Sequence, residues 1–196
     1  MLACLDGDDA FLELLLARIT DRNYANADQA AMLLANTTKS DKLARLVGLK
    51  RALPAAGGAG ADVSTSPYAM DQLIDCFVKG AEKGLNEEAN YDFLSYVFAD
   101  LSRLPAGRAY FVSKRDYDGV IPISKLVVFT EHKSLVRRKG VASTIKYAAF
   151  PGRRGLLTKP GIAVLIFLAS NVSEPRRRQP PAVPATPPDG LRGVLG

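Results

Sequence analysis

Apolar residues recur at helical spacing over most of the first 150 positions and are separated by short polar breaks. Phe11, Leu14, Leu15 and Ile19 mark one stripe of a helix over residues 6–19, with Asp6, Asp8 and Asp9 where the helix macrodipole favours anions. Asn26 or Asp28 can cap a second helix that reaches about Thr37, and Asp41 a third over 42–50. Met70, Leu73, Ile74, Phe77 and Val78 form the stripe of a helix over 68–83, and another spans 91–104. Pro105 to Arg108 restarts the chain, Tyr110 to Val112 offer an apolar anchor, and 114–119 reads as a turn. Pro122 suits the first turn of a helix through Phe129, and Ser134 opens one to about Phe150, with Leu135, Ala142, Ile145 and Ala149 on its apolar arc. Little reads as strand.

Three of these helices are versions of one block. Asn26-Ala-Asp-Gln-Ala-Ala-Met-Leu-Leu-Ala-Asn36 aligns with Asn90-Tyr-Asp-Phe-Leu-Ser-Tyr-Val-Phe-Ala-Asp100 and, more weakly, with Gly140-Val-Ala-Ser-Thr-Ile-Lys-Tyr147. The intervals are 64 and 47 residues, the second close to the roughly 40 to 47 of armadillo and HEAT repeats. The longer interval holds an aperiodic Gly/Ala/Ser/Pro stretch, 52–67, which reads as a flexible insertion. The expected fold is all-α: an armadillo/HEAT-like right-handed α-solenoid of about three to four repeats over residues 1–174. Such stacks form long shallow grooves suited to holding other proteins.

On the helical wheel of the third copy, Lys139, Ser143, Lys146 and Tyr147 form one stripe, which maps to Asp28, Met32, Ala35 and Asn36 in the first copy and to Asp92, Tyr96, Ala99 and Asp100 in the second. This is the expected groove face, with Asn36 and Asp100 able to read a peptide backbone and Arg137 adding to the basic stripe. The competing account is macrodipole compensation alone, since Asp28 and Asp92 start helices and Lys39 and Arg103 end them. Arg138 falls inside the drawn apolar arc, so either the helix begins after it or its guanidinium pairs with a carboxylate from a neighbouring repeat; Arg137 falls outside the arc.

Charge is unevenly placed. Residues 1–100 hold nine basic against fifteen acidic side chains, and residues 101–196 hold seventeen against five. The basic end could steer an acidic partner. Lys133, Arg137, Arg138, Lys139, Lys146, Arg153 and Arg154 are dense enough for phosphate contacts, but no zinc module, helix-turn-helix or aromatic sheet motif accompanies them, so nucleic acid is not the expected partner. From Pro175 onward proline and arginine dominate, and 175–196 reads as a disordered tail containing the Pro-ligand-like Arg178-Gln-Pro-Pro181-Ala-Val-Pro184.

Chemistry is sparse. His132 is the single histidine, with no nucleophile motif around it. Asp71 and Asp75 share a helical face beside Cys76 and read as a solvated acidic surface rather than a metal site. Ala56-Gly-Gly-Ala-Gly60 lacks the Lys-Ser/Thr of a phosphate loop. No catalytic, cofactor or metal residues are expected. Two cysteines without Cys-x-x-Cys spacing, no signal peptide and no apolar run of about 18 residues point to a reducing compartment, the cytoplasm or the nucleus, and no membrane.

The strings Ala30 to Asn36, Met70-Asp-Gln-Leu-Ile-Asp-Cys-Phe-Val-Lys-Gly80, Asn90 to Asp100 and Lys125-Leu-Val-Val-Phe-Thr-Glu-His-Lys-Ser134 through Arg137 to Lys146 closely resemble the fungal branch of the Hgh family over residues 8–150. The resemblance implies a non-enzymatic armadillo-repeat co-chaperone or adaptor for translation elongation factor 2, acting with the chaperonin TRiC and the Hsp90 system. It also implies that these strings correspond to the middle of the family's fold. The alternative from a different class is a generic scaffold that binds peptides or, through its basic half, RNA.

Overall fold

The computed structural model describes residues 9–38, 41–52 and 63–149. Seven α-helices occur among them: α1 (Asp9–Thr20), α2 (Ala27–Thr37), α3 (Ala69–Lys79), α4 (Leu94–Ser102), α5 (Pro105–Val112), α6 (Pro122–Val127) and α7 (Leu135–Ala149). Short 3-10 segments lie at Asp41–Val47 and Ala81–Lys83. The described residues contain no strand, only isolated bridges at Lys50–Tyr68 and Asn86–Ala89. The expected tail and the 153–154 arginines lie outside the described residues.

The three aligned helices stack in order. α4 packs on α2 and, over a longer contact, on α7, the arrangement of a helical solenoid. Leu94, Val97, Phe98 and Leu101 of α4 are fully buried at i, i+3, i+4, i+7 spacing. Beneath them α3 is buried from Ala69 to Phe77 on every side, polar residues included. Phe77 joins the layers through edge-to-face contacts with Phe98 at 5.4 Å and Phe129 at 5.1 Å.

Gly140 sets the closeness of α7 to α4. A Cβ there would lie 2.2 Å from Ser95 Oγ, and the Ser95 hydroxyl in turn donates to Val136 O at 3.1 Å. Tyr91 has a left-handed φ of 59°, costly for a residue with a Cβ. Its N–H donates to Asp28 Oδ1 at 2.6 Å, and its ring fills the space beside Gly80, where a Cβ would come within 2.2 Å of Cδ2.

Several sequence expectations shift. α1 buries Leu12, Leu15, Leu16 and Ile19 and leaves Leu14 half exposed. The run Leu14-Leu-Leu16 is apolar throughout, so residue type does not set its phase. α7 buries Arg137, Gly140, Val141, Thr144, Ile145 and Ala148 and exposes Leu135, a rotation of the drawn arc. Over the expected helix 42–50 the chain forms a 3-10 segment that ends at Val47, followed by a turn and the Lys50 bridge with Tyr68, not a regular helix. Residues 105–112 are helical, with Pro105 in the first turn. Of the stretch 52–67, the described residues 63–67 include buried Val63, Ser64 and Ser66. Lys79 Nζ donates to Val63 O and Ser66 Oγ to Asp71.

Arg137 is fully buried. Its Nε donates to Asp92 at 2.8 Å, Nη1 to Phe77 O at 2.8 Å and Nη2 to Asn90 O at 2.5 Å. The guanidinium carbon lies 3.8 Å from the Phe77 ring centroid and 4.7 Å from that of Phe129. Burial lowers its pKa and Asp92 opposes the shift; the group stays charged, as arginine does in proteins. Arg138 is only half buried and donates to the carbonyls of His132 and Lys133.

The expected roles of the two arginines are therefore exchanged. Arg137→Met should cost about 3 kcal/mol, because it strips Asp92 and two carbonyls of their partner, whereas Arg138→Ala should cost about 1 kcal/mol. Urea unfolding of the two variants checks the order. Gly140→Ala should cost about 1–3 kcal/mol through overpacking against Ser95, read in the same experiment.

Candidate binding cleft

The faces of α2, α4 and α7 opposite the core line a cleft of about 480 Å³. Each helix contributes residues one turn apart: Met32 and Asn36 from α2, Tyr96 and Asp100 from α4, Ser143 and Tyr147 from α7. Ala35 and Ala99 keep it open between these ridges. Phe93 and Arg103, flanking α4 at either end, complete the wall.

The seams between helices hold these faces in register. Asp28 accepts from the N–H groups of Asn90 at 3.0 Å and Tyr91 at 2.6 Å. The repeat-equivalent Asp92 accepts from Arg137. Each aspartate thus ties its own layer to the next; both had been placed on the groove face from the sequence.

The lining mixes aromatic surface with a few polar groups. Phe93 and Tyr96 meet edge to face, with centroids 6.3 Å apart and planes at 66°. Met32 and Tyr147 are 40% and 38% exposed, large apolar side chains left open to solvent beside this pair. Asp100 and Arg103 form a long contact of 3.8 Å, with Arg103 mostly in solvent.

Of the residues expected on the binding face, Asn36, Tyr96, Asp100, Ser143 and Tyr147 come together here. Lys139 and Lys146 are exposed on α7 but are not among the cleft-lining residues. Arg137 is not on the face at all, since its guanidinium is enclosed between Phe77 and Phe129. Phe93 and Arg103 were missed as wall residues; the signal was their spacing of three from Tyr96 and Asp100, which brings them to the same helical face.

Asp71 and Asp75 are not a solvated acidic face. Asp71 accepts from Ser66 Oγ at 2.6 Å, Tyr110 OH at 2.7 Å and Arg115 Nε at 3.0 Å. Asp75 accepts from Tyr117 OH at 3.0 Å and Lys125 Nζ at 2.9 Å. Lys125 also pairs with Asp118 at 2.5 Å. No group of three or more His, Cys, Asp or Glu able to hold a metal occurs among the described residues. His132 Nδ1 accepts from Ser134 N at the start of α7, with Nε2 3.4 Å from Glu82. Cys76 is buried, which pushes its thiol pKa up and keeps it unreactive.

The architecture is that of a stacked-helix solenoid with a cleft on one face. The chain belongs to the Hgh family. The family model described as "Domain of unknown function (DUF383)" matches residues 18–176. The "Protein HGH1 homolog" of Schizosaccharomyces pombe is 45% identical over 170 residues, covering 86% of this chain and 46% of that protein. The "Protein HGH1 homolog" of Homo sapiens is 28% identical over 187 residues, covering 91% and 44%. The higher identity to the yeast protein fits the fungal branch, and the chain spans less than half the length of these relatives. None of the described helices is long and apolar enough to cross a membrane.

Buried Tyr110, with half-buried Tyr117 and Lys125, gives the fold an alkaline limit. Burial raises the pKa of Tyr110 and Tyr117, and Asp71 and Asp75 raise them further. Burial lowers that of Lys125, but its bonds to Asp118 and Asp75 outweigh this and leave it raised. Groups raised above their unfolded values stabilise fully below those values and lose that contribution as pH climbs. Stability should therefore hold to about pH 10 and then fall, by up to about 1.4 kcal/mol per pH unit for Tyr110 and by less for the partly solvated Tyr117 and Lys125. Urea midpoints between pH 8 and 11 measure this; a flat profile contradicts it.

Proposed function

We propose that this chain is a non-enzymatic co-chaperone or adaptor that holds translation elongation factor 2 through the α2–α4–α7 cleft, in the cytoplasm and together with the TRiC chaperonin and the Hsp90 system. The observation that carries the binding mode is the convergence of equivalent positions of three stacked helices on one open, aromatic-lined cleft. The identity of the client rests on the resemblance of the repeat strings to the Hgh family. A non-enzymatic role is supported by the use of His132 as a loop ligand and of Asp71 and Asp75 as buried ion-pair partners. Aromatic side chains in such clefts are frequent binding hot spots.

The immobilised chain should recover elongation factor 2 and chaperonin subunits from a eukaryotic cytosolic extract. Tyr96→Ala and Asp100→Ala should each lower recovery by about tenfold or more while circular dichroism shows each variant still folded at the assay temperature. Recovery of neither protein, or full recovery by both variants, contradicts the proposal.

A second reading, RNA binding through the basic half, draws on the exposed Lys139 and Lys146. Affinity for a single strand should then fall log-linearly with salt, with a slope of about 0.7 per phosphate contacted. Contacts made in the cleft should be far less sensitive.

A further inference from the structure

The cleft wall is aromatic, and its charges are already met. Phe93 and Tyr96 stand at 66° to one another, and Tyr147 lines the same space from α7. The charged residues of the wall, Asp100 and Arg103, meet at 3.8 Å, and Asp100 has a further partner. The side chains of Asn36, Ser143, Tyr96 and Tyr147, by contrast, make no hydrogen bond among the described residues. An amide and three hydroxyls are thus free to donate beside the rings. Aromatic grooves with such donors suit proline-rich segments, whose carbonyls have no internal partners and whose extended polyproline conformation costs little entropy to order. This chain carries one such segment past the described residues: Gln179-Pro-Pro-Ala-Val-Pro-Ala-Thr-Pro-Pro188 has five prolines in ten positions and no charge. Its position suits the cleft as well. α7 ends at Ala149, two residues beyond Tyr147, and thirty positions separate Ala149 from Gln179. Even at the helical rise of about 1.5 Å per residue, thirty residues reach about 45 Å, whereas three helices packed about 8–10 Å apart span roughly 20–30 Å.

We propose that residues 179–188 dock in the α2–α4–α7 cleft of their own chain, prolines against Phe93, Tyr96 and Tyr147 and carbonyls accepting from the free amide and hydroxyls. The proposal rests on the reading of the cleft as a protein-binding surface and adds its regulation, because a client must displace the segment. The arginines at 176–178 take no part, since the one carboxylate among the cleft-lining residues is already engaged. Attachment to the same chain gives the segment an effective concentration on the order of millimolar. A contact too weak to hold a free peptide therefore still fills the cleft.

The test uses the full chain, with benzoylphenylalanine in place of Met32 on α2, across α4 from the helix that leads to the segment. A second chain carries it in place of Val128, which is exposed outside the cleft. After irradiation, trypsin releases Gln179–Arg192 as one fragment, and mass spectrometry finds what it is joined to. The monomer band should yield this fragment crosslinked to position 32 and not to position 128, and Pro181→Glu with Pro184→Glu should lower the yield about tenfold. By fluorescence polarisation, a labelled Gln179–Asp189 peptide should bind the doubly substituted chain about tenfold more tightly than the unaltered one, whose cleft is already filled. Absence of the fragment at position 32, equal yields from 32 and 128, or adducts only in a dimer band each overturns the proposal. So does a labelled peptide that binds both chains equally or neither. The crosslink needs no client. Its failure alongside Tyr96-dependent recovery of elongation factor 2 removes only the self-docking, and its success without that recovery removes only the client.

Discussion

The structure depends most on one buried charge. Arg137 carries its guanidinium into the space between Phe77 and Phe129, and its hydrogen bonds reach α3 and the segment leading into α4. Taking a cation from water is tolerable only where its donors are met, so the elements that supply Phe77 O, Asn90 O and Asp92 must hold their places together. Arg137 thereby fixes the position of α7 along α4, and Gly140 fixes the separation. Register and separation together place Ser143 and Tyr147 opposite Tyr96 and Asp100.

The same logic operates at the preceding seam with a different donor. There Asp28 meets two backbone N–H groups and holds Tyr91 in its left-handed conformation. Aspartates at equivalent positions thus bridge successive layers, one to a backbone and one to a side chain. At the far side of α3, Asp71 and Asp75 bind the 110–125 region through a cation and a tyrosine hydroxyl each. Polar groups, fully paired, therefore make the contacts that specify position, and the phenylalanine cluster supplies bulk burial.

Much of this was legible in the sequence, and the rest was hidden for identifiable reasons. The three-block alignment groups Met32 and Asn36, Tyr96 and Asp100, Ser143 and Tyr147, and these residues line one cleft, because helical spacing alone relates positions i and i+4. The phase of α7 was misread because its buried face contains an arginine, a glycine and a threonine while Leu135 lies outside. A pattern built on apolarity cannot see a buried cation. The tyrosine and cation partners of Asp71 and Asp75 lie some 40 to 50 positions away, so no local spacing announces them. The burial of Val63 and Ser66 goes with bonds to Lys79 and Asp71, which a run of small polar residues does not reveal.

The account stands on the claim that the cleft, rather than another exposed apolar site, is where the client sits. Val128 is 72% exposed and lies outside the cleft, so it provides an internal control for Tyr147. Benzoylphenylalanine introduced at position 147 and, separately, at position 128 can be photo-crosslinked in the presence of purified elongation factor 2. The account predicts a crosslinked adduct from position 147 and none from position 128. An adduct from 128 with none from 147 would contradict it.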